Sequence, residues 1–185
     1  MDDFYLTLLA VAFAGIGARD QVLVAHLTRV QGQRPAVLVL AILGAVATAA
    51  FAAFAAQAVA PMLAPQAQRF FMAMALVLAG IESIAVRPRG AMREPTRSLA
   101  AIGFTLLVFQ AIDAARFIVF AFAIADRQPW LTALAGGLAG AGLVTAGWLA
   151  ADAVAEPRLR LVRRVIGAVL LLIGLWIAVP IALGR

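Results

Sequence analysis

The stretch AGIGARDQ, residues 14–21, places an arginine and an aspartate inside a long apolar segment. A second stretch, QAIDAARF at residues 110–117, does the same 96 residues further along the chain. Charged side chains are costly inside a membrane, and those found there usually mark an ion or substrate pathway. A charged segment that occurs twice therefore indicates a pathway through a membrane, built from two related halves.

The composition around these stretches indicates an all-α integral membrane protein. Of 185 residues, 65% are hydrophobic and 13% are charged, against roughly 45–50% and about 25% in soluble domains. Residues 35–68, 128–151 and 165–184 carry no charge at all. Each run reaches the roughly 20 residues that a helix needs to cross a bilayer. The alternating ten-residue segments of a membrane β-barrel are missing, so helices are predicted.

Composition and motifs also exclude several classes of function. The chain has no cysteine, which excludes disulfides and thiolate metal sites. The net charge of +6 comes from 15 basic residues, all arginine, and their position in short loops suits membrane topology better than nucleic-acid binding. The sequence contains none of the hydrolytic motifs. We therefore expect neither an enzyme nor a bound cofactor, with membrane lipid as the constant partner.

Six transmembrane helices are predicted in a single membrane domain, residues 1–185. Proline, a good first-turn residue, opens the second and fifth helices. The predicted helices are Phe4–Thr28, Pro35–Ala60, Gln68–Val86, Ser98–Ala125, Pro129–Val154 and Leu161–Leu183.

The arginines predict how these helices cross the membrane. The loops after helices one, three and five hold ten arginines, and the opposite side holds three. The ten are Arg29, Arg34, Arg87, Arg89, Arg93, Arg97, Arg158, Arg160, Arg163 and Arg164. Because cytoplasmic loops are enriched in basic residues, both termini are predicted outside the cytoplasm, in a multi-pass protein of the inner (plasma) membrane.

The repeated features extend beyond the charged stretches and predict two halves. Repeat one covers residues 1–86, a basic cytoplasmic linker covers 87–97, and repeat two covers 98–185. Three helices in each half make an odd number, so the second half must enter the membrane from the opposite side. The repeats are therefore predicted to be inverted. Transporters with this plan place their site at the interface of the repeats, near the middle of the membrane.

With these features the chain resembles the transmembrane protein 165 family, also called uncharacterised protein family 16. Its members are presumed manganese and calcium transporters with two three-helix repeats and the motif E-x-G-D-[KR]-[TS] in the first helix of each. The resemblance implies a proton-coupled cation antiporter. Both copies of the motif are degenerate here, since its acidic positions fall on Gly15 and Ala18, and on Ala111 and Ala114. Gly17 keeps the glycine of the first copy.

The changed positions alter the expected chemistry. Glutamate and aspartate three residues apart lie on one helix face. Two such helices would offer four carboxylates to a hard divalent cation. With glycine and alanine in those places this cage is lost, and no metal ligand is assigned.

The remaining polar residues are the candidates for an ion pathway or a central ion-pair cluster. Asp20 is expected to pair with Arg116, and Asp113 with Arg19 or Arg116, across the two repeats. A static pair and a gate or proton relay are both open interpretations. Gln21 and Gln110 flank the cluster and are expected to bond across helices. Glu82 either reaches the cytoplasmic surface or lines a cavity.

Two functions remain open on the sequence. The first is a secondary transporter of a cation, with a divalent cation or a proton as partner, or an exporter of another small solute. The second is a degenerate paralogue that does not transport and acts as a membrane interaction protein. The small-residue face of helix five, which contains Ala133, Gly136, Gly137 and Gly140, predicts close helix packing and allows a homo-oligomer.

Overall fold

The computed structural model describes residues 2–85, 97–126 and 128–183. Within these ranges the chain is helical and has no strand, which confirms the predicted all-α class. A short 3₁₀ turn, Ala60–Met62, follows the third helix. The helices are α1 (Asp2–Gly15), α2 (Arg19–Gln31), α3 (Pro35–Val59), α4 (Pro65–Ala85), α5 (Leu99–Ala111), α6 (Ala114–Ala125), α7 (Pro129–Leu149), α8 (Ala151–Ala155) and α9 (Pro157–Ala182). Of the predicted linker 87–97, only Arg97 lies within the described residues.

Four helices, α3, α4, α7 and α9, are long and apolar enough to cross a membrane by themselves. The pair α1–α2 is bent by 55° and the pair α5–α6 by 51°, and each pair is apolar enough to form one span. The described residues therefore hold four to six candidate membrane spans. The upper number agrees with the six predicted helices.

The first and fourth predicted helices differ from the prediction because each is broken. The first breaks at residues 16–18 and the fourth at Ile112 and Asp113. Both breaks fall inside the two charged stretches, residues 14–21 and 110–117. The fifth predicted helix is also interrupted, at Ala150, where α7 ends and the short α8 begins.

The last helix begins at Pro157, four residues before the predicted start at Leu161. Proline at the first helical position is favoured because its missing N–H would have no partner there in any case. The earlier start places Arg158 and Arg160 on α9 instead of in the preceding loop, together with Arg163 and Arg164, which the predicted helix already included.

Helix pairs from the two halves make the most extensive contacts: α4 packs against α9, and α3 against α7. Glycine permits the first pairing. A Cβ atom at Gly80 would lie 2.6 Å from the carbonyl oxygen of Gly167, and one at Gly174 would lie 2.8 Å from the carbonyl oxygen of Ala73. Small residues let the backbones of membrane helices come into contact. Van der Waals packing then stabilises the pair, because the hydrophobic effect does not drive helices together in lipid.

The small-residue face of α7 also packs inside the protein. Gly136 lies against Val119 of α6, and Gly137 against Val46 of α3. The large exposed side chains, among them Phe51, Phe54 and Trp176, lie on the outside. This arrangement suits a bundle surrounded by lipid, since apolar side chains cost little there. Oligomerisation through this face stays a prediction.

Candidate functional site

The break between α1 and α2 is closed by side-chain hydrogen bonds. Gly17 has a φ of 69°, a left-handed conformation that glycine adopts without a steric cost. The Oε1 atom of Gln21 accepts from the Gly17 N–H at 2.7 Å. The Nη1 atom of Arg163, on α9, donates to the Gly17 carbonyl at 2.7 Å. Backbone groups freed inside a membrane need such partners because no water is present to replace them.

The break between α5 and α6 uses an aspartate instead. Asp113 is the N-cap of α6, and its Oδ2 atom accepts from the Ala115 N–H at 3.3 Å. In α2, Asp20 lies in the first turn and accepts from the Gln21 N–H at 2.8 Å. Each half-helix therefore begins with a buried carboxylate, which the positive end of the helix dipole stabilises.

Arg116 is held in the first turn of α6 and is only 5% exposed. Its Nε atom donates to the Thr48 hydroxyl of α3 at 2.7 Å. Thr48 in turn donates to the Gly44 carbonyl at 2.8 Å. Gly140 of α7 leaves room for the guanidinium, because a Cβ atom there would lie 2.9 Å from Nη2. The Nη1 atom is buried and has no hydrogen-bond partner among the described residues.

Six charged residues from four helices form a central cluster around the two breaks. Their mutual electrostatic interactions join Asp20 to Arg116, Asp113 to Asp20, Glu82 and Arg116, and Arg163 to Asp113, Glu82 and Arg19. The members of this central cluster are Arg19, Asp20, Glu82, Asp113, Arg116 and Arg163. The cluster holds three carboxylic side chains and three guanidinium groups, so its formal charges sum to zero.

The direct ion pairs differ from the expected ones. Within the described residues, no carboxylate–guanidinium contact of 4.0 Å or less joins Asp20 or Asp113 to an arginine. The close pair in the cluster is Arg19 with Glu82, at 3.5 Å. The two aspartates accept from backbone N–H groups at the helix starts instead, and Arg116 bonds to Thr48. The predicted residues are thus brought together, but as neighbours in a cluster rather than as the proposed pairs.

The two glutamines bond across helices, as expected. The Nε2 atom of Gln21 donates to the Leu143 carbonyl of α7 at 3.0 Å. The Nε2 atom of Gln110 donates to the Ala41 carbonyl of α3 at 3.0 Å. Gln110 also interacts with the carboxylate of Asp20, which links the two charged stretches.

The degenerate motif positions border the breaks but supply no ligands. Gly15 and Ala111 end α1 and α5, Ala18 is the N-cap of α2, and Ala114 is the first residue of α6. Among the described residues, no three histidine, cysteine or acidic side chains are grouped so that they could hold a metal ion. Glycine and alanine at these four positions carry no side-chain oxygen, so they cannot supply the carboxylates that the resemblance implies.

A cavity of about 570 Å³ lies beside the cluster, near the middle of α3. Its polar lining residues are Arg116 and Thr48, and the rest of the wall is alanine, leucine and phenylalanine. Asp20 and Asp113 are not among the lining residues. Phe51 and Phe117 at its wall are 73% and 53% exposed, so the cavity opens towards the outer surface of the bundle.

Two site residues, Arg163 and Thr48, are not among the candidates that the sequence indicates. Arg163 lies inside the predicted sixth helix, Leu161–Leu183, but counts there only as one of the basic residues that set the orientation. Thr48 is one of the few polar residues in the charge-free run 35–68, and its polarity within that run is the sequence feature that could have indicated a site residue.

Comparison with known proteins adds no assignment: no family model, curated protein or solved structure matches the chain.

Proposed function

We propose that the protein is a secondary membrane transporter whose site is the central cluster at the two broken helices. The observation that carries this proposal is a cluster of six interacting charged residues where α1–α2 and α5–α6 break, four of which are buried: Asp20, Asp113, Arg116 and Arg163. Buried charge in a membrane is costly and usually serves transport. Transporters also build their sites from discontinuous helices, whose free ends face the transported species.

The arrangement of the halves supports the proposal. The breaks occur in the first helix of each expected repeat, and α3–α7 and α4–α9 join helices at equivalent positions of those repeats. A twofold axis in the membrane plane would produce these pairings. We propose inverted repeats on this basis, with both termini outside the cytoplasm and the basic loops inside, in the inner membrane.

A proton is the proposed coupling ion. The three carboxylates of the cluster are already balanced by three guanidinium groups, so a divalent cation would add two uncompensated positive charges. A proton on Asp20 or Asp113 adds one charge and removes one acceptor from the neighbourhood of Arg116. Manganese or calcium as cargo follows only from the family resemblance, whose ligand positions are apolar here.

Transport by the purified protein in liposomes tests the proposal. Liposomes with an internal pH indicator and an imposed pH gradient would receive Mn²⁺, Ca²⁺, Na⁺ or K⁺ in turn. The wild type is expected to dissipate the gradient with at least one cation, and Asp20→Asn and Asp113→Asn to do so at least about tenfold more slowly, since general acid–base groups contribute this much or more. Glu156→Gln is the matched control, because Glu156 is exposed at the start of α9.

The second candidate is a membrane interaction protein that keeps the fold without transport. The loss of all four family acids favours it, as does a cavity that reaches Arg116 rather than the two aspartates. Folded wild-type protein that leaves the gradient unchanged with every cation, as empty liposomes do, would support this candidate. Cells that lack the gene and show unchanged sensitivity to metal ions would strengthen it.

A further inference from the structure

We propose that Arg160 and Arg164, in the first two turns of α9, bind the phosphate headgroup of an anionic phospholipid. This inference concerns a lipid contact on the surface of the bundle and depends neither on transport nor on the orientation of the protein. It rests on the depth of the two arginines in the membrane, on their lack of acidic partners and on the apolar side chains beside them.

The apolar part of α9 sets the depth of the two arginines. Residues 165–182 carry no charge and rise about 27 Å along the helix axis, close to the roughly 30 Å of a hydrocarbon core. Arg164 therefore lies at the edge of the core, and Arg160 lies about 6 Å further out. The headgroup layer of each leaflet is roughly 5–8 Å thick, so both guanidinium groups lie at the level of the lipid phosphates.

Both arginines are exposed and have no acidic partner among the described residues. No carboxylate there lies within 4.0 Å of either guanidinium, and this includes Glu156, one turn before Arg160. The two stand four residues apart on one face of the helix, where like charges repel each other. Arg163 differs, because it is buried and donates to the Gly17 carbonyl. A phosphate between Arg160 and Arg164 would offset the repulsion and accept hydrogen bonds from both.

The side chains next to the pair favour a lipid over a soluble anion. Leu161 and Val165 are 66% and 57% exposed. Leu161 lies three residues before Arg164 and is therefore its neighbour on the helix surface. The exposed apolar surface continues along α9 to Leu172 and Trp176. An acyl chain can follow this surface into the core while its phosphate contacts the guanidinium groups, whereas inorganic phosphate would use the polar part alone.

The charge at this end of α9 favours an anionic headgroup over a zwitterionic one. Residues 157–164 contain four arginines and no acidic residue. A choline headgroup would bring its own cation close to these charges, whereas a glycerol headgroup leaves the phosphate charge unopposed. Each arginine near a membrane surface contributes roughly fivefold to the affinity for anionic lipid.

Lipid binding by the full chain in detergent tests the site. Native mass spectrometry counts the bound lipid during titration with phosphatidylglycerol, or with phosphatidylcholine that has the same acyl chains. The wild type is expected to bind phosphatidylglycerol at least about fivefold more tightly than phosphatidylcholine. Inorganic phosphate at the concentration of the lipid is expected to leave the bound phosphatidylglycerol in place.

Single substitutions locate the binding. Arg160→Gln and Arg164→Gln are each expected to weaken phosphatidylglycerol binding roughly fivefold and to leave phosphatidylcholine binding unchanged. Arg69→Gln is the matched control, since Arg69 is exposed in the second turn of α4 and no arginine stands one turn away from it. It is expected to bind both lipids like the wild type. All three side chains are exposed, so equal melting temperatures are expected and verify that each variant is folded.

Three results would overturn the proposal. Equal affinity of the wild type for the two phospholipids would show that the headgroup charge is not recognised. An equal loss of phosphatidylglycerol affinity in Arg69→Gln would show a general effect of positive charge. Displacement of phosphatidylglycerol by inorganic phosphate would show a site for soluble anions.

Discussion

The side chain of Arg163 donates a 2.7 Å hydrogen bond to the carbonyl oxygen of Gly17, a residue 146 positions earlier in the chain. The bond joins the last helix of the protein to the break in its first span. It satisfies a backbone oxygen that the left-handed turn at Gly17 removes from the helical pattern. It also brings a third arginine to the central cluster, opposite Asp113 and Glu82.

Replacing Arg163 by methionine is therefore expected to destabilise the protein strongly. The change removes a buried positive charge and leaves the Gly17 carbonyl unpaired, and a buried acceptor without its partner costs roughly 1–3 kcal/mol. Arg164→Met is the matched control, since Arg164 is the adjacent residue and is exposed. Thermal unfolding in detergent compares the two variants. Equal melting temperatures would contradict the assigned role of Arg163.

Gly17→Ala is expected to lower stability by about 1–3 kcal/mol, because an L-residue is strained in the left-handed region. The new Cβ atom would also lie 3.3 Å from the Cδ atom of Arg163. Gly142→Ala is the control, since a Cβ atom there meets nothing within 4 Å. That change is expected to be neutral or to stabilise by up to about 1 kcal/mol, because alanine is the better helix former. Denaturant titration in micelles gives both values, and a neutral Gly17→Ala would argue against the left-handed turn.

Gly80→Ala is expected to separate α4 from α9. The added Cβ atom would meet the backbone of α9 at 2.6–2.7 Å, at the Gly167 carbonyl and the Leu171 amide, and backbone cannot move aside as a side chain can. Overpacking of this kind costs typically about 1–3 kcal/mol. Gly137→Ala, whose Cβ atom would make an ordinary contact at 3.6 Å, is expected to be tolerated. Size-exclusion chromatography at increasing temperature would distinguish them; equal tolerance would refute the close approach.

Two substitutions at Asp113 separate the contribution of its N-cap hydrogen bond to stability from the contribution of its negative charge. Asparagine keeps a side-chain oxygen for the Ala115 N–H, whereas alanine removes it. Both lose the negative charge, so the difference between them isolates the cap. Asp113→Ala is expected to be less stable than Asp113→Asn by about 1 kcal/mol, the usual worth of an N-cap. Unfolding curves that coincide would show that the cap contributes nothing.

Cysteine labelling tests the proposed orientation, and the chain offers a clean background because it has no cysteine. Gln33→Cys lies in the exposed turn before α3, and Ala64→Cys in the exposed turn before α4. An impermeant maleimide added to intact cells is expected to label only the second. Labelling only at position 33 would reverse the orientation, and labelling at both would contradict the span α3.

The helix starts show what the sequence could predict. Pro35 and Pro129 were placed correctly at the beginning of α3 and α7, because proline suits the first turn and a charge-free run follows each. The breaks at Gly17 and Ile112 were not predicted, since neither contains proline and the apolar segments continue across them. Glycine can adopt several backbone conformations, of which the left-handed one is only one, and the sequence does not show which of them Gly17 takes.

The sequence predicts most of the residues of the site but not the contacts among them. Asp20, Asp113, Arg116, Gln21 and Gln110 were identified because polar groups in apolar helices are conspicuous. Their hydrogen-bond partners could not be predicted, because each break changes the direction of the chain. The side chains of the following half-helix therefore point elsewhere than in a continuous helix. Arg163 was missed because the positive-inside rule treats an arginine near a helix end as a loop residue, whereas its buried side chain reaches back to Gly17.

The balance of the central cluster has a consequence for its response to membrane voltage. One elementary charge that crosses the full field changes the energy by about 2.3 kcal/mol per 100 mV. Three carboxylates and three guanidinium groups that move together transfer no net charge. A rearrangement of the two broken spans with the cluster intact would therefore proceed equally well in energised and de-energised membranes. Voltage would act only on the step in which a proton joins or leaves the cluster.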